Sequence, residues 1–204
     1  MLGLLLGIAA AVAPTVGIGR IDVALDPKAR LGPRSAGLLC APNGDIHWRR
    51  DLTEADFDSA PAIVAKEIEA AALRTTSDPV GLFPGQIAPA DYLIGGRVTA
   101  AQGDICIPSR GAPILFGSRV TAESGAKGSL ILQVEWQVYA VQTRTVVLTM
   151  VTGGQAILAK KTPAGIRRLT HEALAGSVAY FLAQPEVQQL LTTGAVPIPS
   201  ENHR

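Results

Sequence analysis

The segment that most constrains the fold is residues 128–150, "GSLILQVEWQVYAVQTRTVVLTM", in which apolar and polar side chains alternate. Alternate side chains of a β-strand point to opposite faces, so this pattern predicts strands that are buried on one face only. The residues "AVQTRT" interrupt the alternation and indicate a turn, after which it resumes. We therefore predict a long antiparallel hairpin whose buried face carries Leu130, Leu132, Val134, Trp136 and Val138.

The opposite face of the same strand is mostly polar, with Ile131 as the exception. Amide and hydroxyl groups at regular spacing are typical of a sheet surface that meets solvent or another molecule. They do not form the acid, base and nucleophile set of a catalytic cleft. We predict a partner-facing surface made of Gln133, Glu135, Gln137 and Tyr139.

Two segments have the period of amphipathic helices. Residues 59–74 begin with Ser59 as a possible cap and Pro61 in the first turn, and residues 164–191 repeat apolar side chains at i, i+3 and i+4. Pro185 should kink or end the second helix. The sequence thus predicts one α+β domain over residues 17–191, a mostly antiparallel sheet packed against two amphipathic helices, with a flexible tail at 192–204.

Two glycine-containing pairs predict local backbone features. Asn43-Gly44 lies between apolar runs, a pattern that favours a tight hairpin turn. Gly95-Gly96 lies inside the strand-like residues 91–107 and indicates either a β-bulge or a close approach of another backbone.

Composition limits the classes of function. Hydrophobic residues make up 48% of the 204 residues, so the chain can bury a sizeable core. The formal net charge is +1, from 18 basic and 17 acidic residues. This balance gives no electrostatic basis for binding nucleic acid or an anionic membrane surface, and we expect neither.

The N-terminus resembles a secretory signal. Residues 2–13 are apolar or glycine and carry no charge, a run too short to span a bilayer, and Ala11-Val12-Ala13 has the small-x-small form of a cleavage site. We predict a signal peptide at 1–13 and a periplasmic or secreted protein without an integral membrane span. The alternative is that these residues form a buried first strand or helix.

The chain has two cysteines, Cys40 and Cys106. Export permits a disulfide between them, and two buried free thiols are the alternative. Two cysteines alone cannot hold zinc, and no histidine lies at metal spacing from either, so we expect no metal and no cofactor.

The sequence contains no recognisable catalytic motif. It has three histidines and lacks the G-x-S-x-G pattern of hydrolases, so we predict that the protein is not an enzyme. The alternative, a small enzyme, needs a pocket that brings together His47, Asp45 and Asp104.

Two resemblances follow from these segments. The order of a helix, "ADYLIGGRV", a hairpin ending "VEWQVYAVQTRTVV" and a long helix resembles the envelope fold of the curli-secretion channel and of the TolB N-terminal domain, over roughly residues 55–190. The match rests on Ala90, Asp91, Tyr92 and Gly95, with Thr143 and Val146-Val147.

The second resemblance is to the non-catalytic N-terminal region of alphaproteobacterial periplasmic trypsin-like peptidases. It rests on "GLLCAPNG" and "KGSLILQVEWQVYAVQTRTVV", and the protease motifs are missing from this chain. This resemblance implies the envelope compartment, a Cys40–Cys106 pair, and a scaffold or recognition role. We therefore expect a non-enzymatic envelope protein that binds another protein or itself; the alternative is an accessory domain of a split or truncated trypsin-like peptidase.

Overall fold

The computed structural model describes residues 13–37, 39–75, 90–107 and 125–194. The predicted signal peptide, apart from Ala13, and most of the predicted tail lie outside these ranges. Within these ranges there are seven strands, three α-helices and one 3-10 turn at Glu54–Phe57. In chain order the elements are β1 Thr15–Val23, β2 Arg30–Ala36, β3 Ala41–His47, α1 Ala60–Ala70, β4 Arg74–Thr75, β5 Tyr92–Ile107, β6 Ala126–Ala140, β7 Thr145–Thr162, α2 Gly165–Leu182 and α3 Pro185–Thr193.

The seven strands form one sheet around β5. On one side β5 pairs antiparallel with β6 along its length, and β6 pairs antiparallel with β7. On its other side β5 pairs in parallel with β1 near its start and with β2 near its end. Beyond these lie β4, parallel to β1, and β3, antiparallel to β2.

The predicted α+β class is confirmed, but the prediction of a mostly antiparallel sheet is wrong, because the sheet is mixed. The long hairpin accounts for the antiparallel half. The parallel half arises because α1 lies between β1 and β5 in the chain, and a crossover of this kind returns the chain in the same direction. Hydrophobic alternation shows that a strand forms but does not show which strand becomes its neighbour.

The helices pack on the face of the hairpin that the sequence predicted. α2 lies over β6 and β7, and α1 packs against α2 and β1. The first predicted helix ends at Ala70, because Ala72 takes a left-handed conformation with φ 56°. The second is divided as predicted, since Pro185 opens α3. The predicted buried residues Leu130, Leu132, Val134, Trp136 and Val138 are each at most 1% exposed.

Trp136 is the centre of this buried face. Its indole Nε1 donates to Thr152 Oγ1 at 2.9 Å and to Ser177 Oγ at 3.1 Å, and its ring stacks on Phe181 with centroids 5.6 Å apart. Gly96 leaves room for the ring, because a Cβ added there would lie 2.6 Å from an indole carbon. One buried polar group is thereby satisfied inside an apolar layer, as burial requires.

The two predicted hairpin turns have different outcomes. The turn within "AVQTRT" is confirmed, because β6 ends at Ala140 and β7 begins at Thr145. The prediction of a hairpin turn at Asn43-Gly44 is wrong: these residues lie within β3, and the turn lies before Ala41, with Ala36 and Ala41 as the last pair. Gly44 has φ 81° in β3, whose pairing with β2 is irregular, so the glycine serves a distorted strand instead of a turn.

The Cys40–Cys106 disulfide is present, with the two Cα atoms 5.4 Å apart. The alternative of two free thiols is therefore wrong. The bridge ties the turn before β3 to the end of β5 and closes a loop with a sequence separation of 66. A loop of this length contributes up to about 4 kcal/mol on the loop-entropy model.

Candidate functional site

The site that the structure favours is the face of β5, β6 and β7 opposite to the helices, which we call the open face. No helix of the described ranges covers it, as the exposure of its side chains shows. The open face consists of Leu93, Gly95 and Arg97 of β5, of Ile131, Gln133, Glu135, Gln137 and Tyr139 of β6, and of Val146, Thr149, Val151, Gly153, Gln155 and Ile157 of β7.

The four residues predicted to face a partner lie together on this face. Gln133 is exposed, and Glu135, Gln137 and Tyr139 are partly exposed. Gln137 Nε2 donates to Glu135 Oε1 at 3.0 Å. The alternation along β6 therefore located these side chains on a single surface, although whether they bind a partner stays a prediction.

A shallow groove of about 270 Å³ crosses the β1 side of the open face. Gly19 of β1 and Gly95 of β5 form its floor, and a Cβ added at Gly19 would lie 3.3 Å from Ile94 O. The groove exists because these facing positions lack side chains. Its rim carries Arg20, Asp22, Arg97, Glu135, Gln137 and Tyr139.

Sequence reasoning missed this groove. Gly95-Gly96 was predicted to mark either a bulge or a close backbone approach, and the structure shows both. The β1–β5 register shifts opposite this pair, between Ile18 and Ile21, and a Cβ added at Gly95 would lie 3.2 Å from Arg20 O. Gly19 is brought beside Gly95 only by the parallel pairing of β1 with β5. The local sequence had no signal for that pairing.

The charges on the groove rim are balanced. Arg97 stands in register between Asp22 of β1 and Glu135 of β6. Arg20 Nε pairs with Asp22 Oδ1 at 2.5 Å. Within the described part of the chain, the Arg97 guanidinium makes no ion pair. It therefore stays available to an acceptor on another molecule.

Next to the groove the open face becomes aliphatic. Ile157 is 65% exposed, Val151 57%, Val146 49% and Ile131 42%. Single exposed apolar residues are ordinary, but these four share one uncovered face of two adjacent strands and form an interrupted aliphatic patch, in which Thr149, Gly153 and Gln155 separate the three residues of β7. Three of the four lie on β7, whose continuation beyond residue 151 the sequence did not predict.

The structure does not bring together the residues of the enzymatic alternative. Asp45 Oδ1 is paired with Arg30 Nη2 at 2.8 Å, and His47 Nδ1 lies 3.2 Å from the backbone oxygen of Asp45. Asp104 lies on β5, separated from β3 by the whole of β2. Among the described residues no hydrogen bond or ion pair joins Asp104 to Asp45 or His47.

A separate charged cluster lies where β2 and β3 meet the turn that follows them. Asp51 accepts hydrogen bonds from His47 N at 3.0 Å, Arg50 Nε at 3.0 Å and Arg34 Nη1 at 3.1 Å. Burial by itself raises the pKa of Asp51, but these hydrogen bonds and the charge of Arg50 together hold it below the usual value. The donors are used within the cluster, which indicates a structural role.

The described residues contain no group of three or more His, Cys, Asp or Glu side chains that could hold a metal ion. Among them there is also no helix long and apolar enough to cross a membrane.

Comparison with known proteins gave similarity to solved structures only. No family model matches the chain, and no curated protein matches it. A Xanthomonas campestris protein of the DUF330 family is similar over 92% of this chain and 90% of its own, with a TM-score of 0.45 and 11% identity.

Two further solved structures are more distant. A hypothetical protein from Chlamydia trachomatis covers 83% of this chain and 99% of its own, with a TM-score of 0.37 and 10% identity. A PelC dodecamer from Paraburkholderia phytofirmans covers 82% and 89%, with a TM-score of 0.34 and 15% identity.

Proposed function

We propose that this chain is a non-enzymatic protein of the cell envelope that binds another protein through its open face. The observation that carries the proposal is the exposed aliphatic patch formed by Ile131, Val146, Val151 and Ile157. Exposed aliphatic side chains interspersed with hydrogen-bonding groups on one uncovered face support a protein interface, because such interfaces combine apolar contact with hydrogen bonds.

The groups around the patch suit recognition of a polypeptide. Gln133, Gln137 and Tyr139 both donate and accept hydrogen bonds, and Arg97 offers a guanidinium without an ion-pair partner among the described residues. Arginine and tyrosine are enriched among the interface residues that contribute most of the binding energy. A partner that covers the patch could therefore form hydrogen bonds with the side chains that lie between the patch and the groove.

The compartment is part of the proposal. A disulfide between Cys40 and Cys106 persists in an oxidising environment, which supports a periplasmic or secreted location. Protein purified from its native envelope fraction should have lost about the first 13 residues and should show no reactive thiol until it is reduced. Intact-mass measurement after alkylation, with and without reductant, checks both points; a full-length cytosolic protein with two free thiols would contradict them.

A photo-crosslinking experiment tests the binding face. A photoreactive amino acid is placed at Gln133 on the open face, and at Glu69, an exposed residue of α1, as the matched control. We expect a crosslinked partner protein from position 133 and none from position 69. Equal labelling from both positions would contradict the proposal.

The identified partner is then purified and titrated against the wild type and the variant Val151→Glu. Placing a charge in a desolvated patch should weaken binding by about 10- to 100-fold, or 1.4 to 2.8 kcal/mol. If the partner is a trypsin-like peptidase, the accessory-domain alternative applies; any other envelope protein supports the general binding role.

A further inference from the structure

The longest strand of the described chain is also an edge of the sheet. β7 spans Thr145–Thr162 and pairs on one side with β6, while no described strand pairs with its other side. Its pairing with β6 is regular from Leu148 to Leu158. Such an edge presents a row of backbone N–H and C=O groups that can pair with another extended chain.

The other edges of the sheet are protected in ways that β7 is not. β4 is only two residues long. β3 carries Pro42 and Asp45, and its register with β2 shifts twice. Short length, proline, charge and irregularity are the usual devices that keep an edge from pairing.

β7 lacks these devices over most of its length. From Thr145 to Ala159 the sequence "TVVLTMVTGGQAILA" contains no charge and no proline, and its lysines come only at 160 and 161. Its register with β6 shifts twice, near its start between the pairs of Val138 and Tyr139 and near its end between the pairs of Ala126 and Gly128. From Leu148 to Leu158 the edge is therefore long, regular and uncharged, whereas the other edges are short or interrupted.

We propose that this edge pairs with β7 of a second copy of the chain, antiparallel and around a two-fold axis at Gly154. In this register Val151 of each copy faces Ile157 of the other, so that two of the most exposed aliphatic residues cover each other. On the helix side, Met150 faces Leu158. A two-fold contact of this kind is closed and yields a dimer, not a fibre.

The charge pattern agrees with the same register. Lys160 and Lys161 of one copy fall opposite Leu148 and Val147 of the other, so no like charges meet. An axis one residue earlier, at Gly153, places Val151 opposite Gln155 and Ile157 opposite Thr149, which leaves the aliphatic residues against polar ones. The apolar pattern therefore favours the axis at Gly154.

Helix α2 lies over β7 and carries an exposed aromatic side chain. A Cβ added at Gly176 would lie 3.8 Å from Gln155 N, so the helix approaches the strand there without a side chain. Tyr180 lies one turn further along the same helix face and is 61% exposed. In the proposed dimer this exposed ring is a candidate contact for the second copy.

The oligomeric state of the full chain tests the proposal. We expect sedimentation at twice the mass of one chain, and a dissociation constant raised about 100-fold or more in Val151→Lys, because the variant brings a cation against Ile157 of the other copy. Ala62→Lys is the matched control, since it adds the same charge at an exposed position of α1 and should leave the dimer unchanged. Wild-type protein that remains a monomer up to about 100 μM overturns the proposal.

Thiol crosslinking tests the register independently. The native cysteines are bridged, so an introduced cysteine is the reactive thiol. A mixture of Val151→Cys and Ile157→Cys chains should crosslink with a short bis-maleimide several-fold more than a mixture of Thr149→Cys and Ile157→Cys chains. Equal crosslinking in both mixtures overturns the register. Failure here leaves the binding role of the open face standing, because that role is measured from position 133 with a different protein.

Discussion

The two faces of the β5–β7 sheet are built from the same three strands and differ in what their side chains meet. On the helix face, Trp136 is fully buried, its ring is stacked on Phe181, and its N–H is satisfied by two hydroxyl groups. On the open face, Gln137 next to it in sequence has only Glu135 as its hydrogen-bond partner among the described residues. Stability and recognition can therefore be changed separately by substituting neighbouring residues.

The largest difference is expected between Trp136→Ala and Gln137→Ala. Removal of the indole leaves a cavity between β6 and α2, and large-to-small core changes of this type cost about 3 to 5 kcal/mol. Gln137→Ala loses one partly exposed hydrogen bond and should cost about 0.5 kcal/mol. Urea unfolding followed by circular dichroism measures both; similar midpoints for the two variants would contradict the division into a core face and a binding face.

The adjacent glycines of β7 provide a sharper version of the same comparison. A Cβ added at Gly154 would lie 1.8 Å from Ala173 O, whereas the nearest atom to one added at Gly153 is Leu132 O at 3.8 Å. Gly154→Val should therefore push α2 away from the sheet and destabilise the fold by about 3 kcal/mol. Gly153→Val should be neutral or stabilising by up to about 1 kcal/mol, because valine favours strands over glycine.

Thermal unfolding of these two glycine variants checks the sign as well as the size of the effect. A destabilised Gly153→Val with an unchanged Gly154→Val would mean that α2 packs on the other face. Both variants are compared at the same protein concentration, since pairing of β7 with a second copy would also raise the midpoint.

Substituting two threonines of β7, one on each face, compares the contribution of side-chain hydrogen bonds to stability on the two faces. Thr152 Oγ1 accepts from Trp136 Nε1 and contacts Ser177 Oγ at 2.8 Å, whereas Thr149 lies exposed on the open face. Thr152→Val keeps the shape but leaves buried groups with fewer partners, which should cost about 1 to 2 kcal/mol. Thr149→Val should change the free energy of unfolding by less than about 0.5 kcal/mol.

The sequence predicted the parts of this arrangement that depend on local pattern. The two-residue period located the hairpin, its buried face and the row of Gln133, Glu135 and Gln137, because side-chain direction in a strand follows from the position of each residue in that strand. The helix break at Pro185 was predictable for the same reason, since proline acts on its own turn.

The remaining features depend on which distant segments pair. The groove needs Gly19 beside Gly95, and the hydroxyl partners of Trp136 come from β7 and α2. At Asn43-Gly44 a local turn signal did not produce a turn. These residues lie in β3, which pairs with β2 and begins directly after the bridged Cys40. Neither outcome is encoded in a short window of sequence.

The smallest expected effect concerns two acidic residues in different surroundings. The side chain of Asp51 is 10% exposed and is hydrogen-bonded to two arginines, and its pKa is held below the usual value. The side chain of Asp22, on the groove rim, is 41% exposed and pairs with Arg20, which is 85% exposed. The pKa of Asp51 is lower in the folded state than in the unfolded state, where it is near 4, so the ionised carboxylate stabilises the fold. This stabilisation is complete above the unfolded-state pKa and is lost as the pH falls through the folded-state pKa. Asp51→Asn should therefore cost about 1 kcal/mol at pH 7 and flatten the loss of stability below about pH 4.

Asp22→Asn is the matched control, because an exposed ion pair contributes little and its removal should leave the pH profile unchanged. Free energies of unfolding measured between pH 2 and 7 for the two variants and the wild type give the comparison. If Asp22→Asn flattened the acid limb and Asp51→Asn did not, the stabilising charges would lie on the groove rim. The open face would then contribute to folding as well as to recognition, and its substitutions could no longer be interpreted as effects on binding alone.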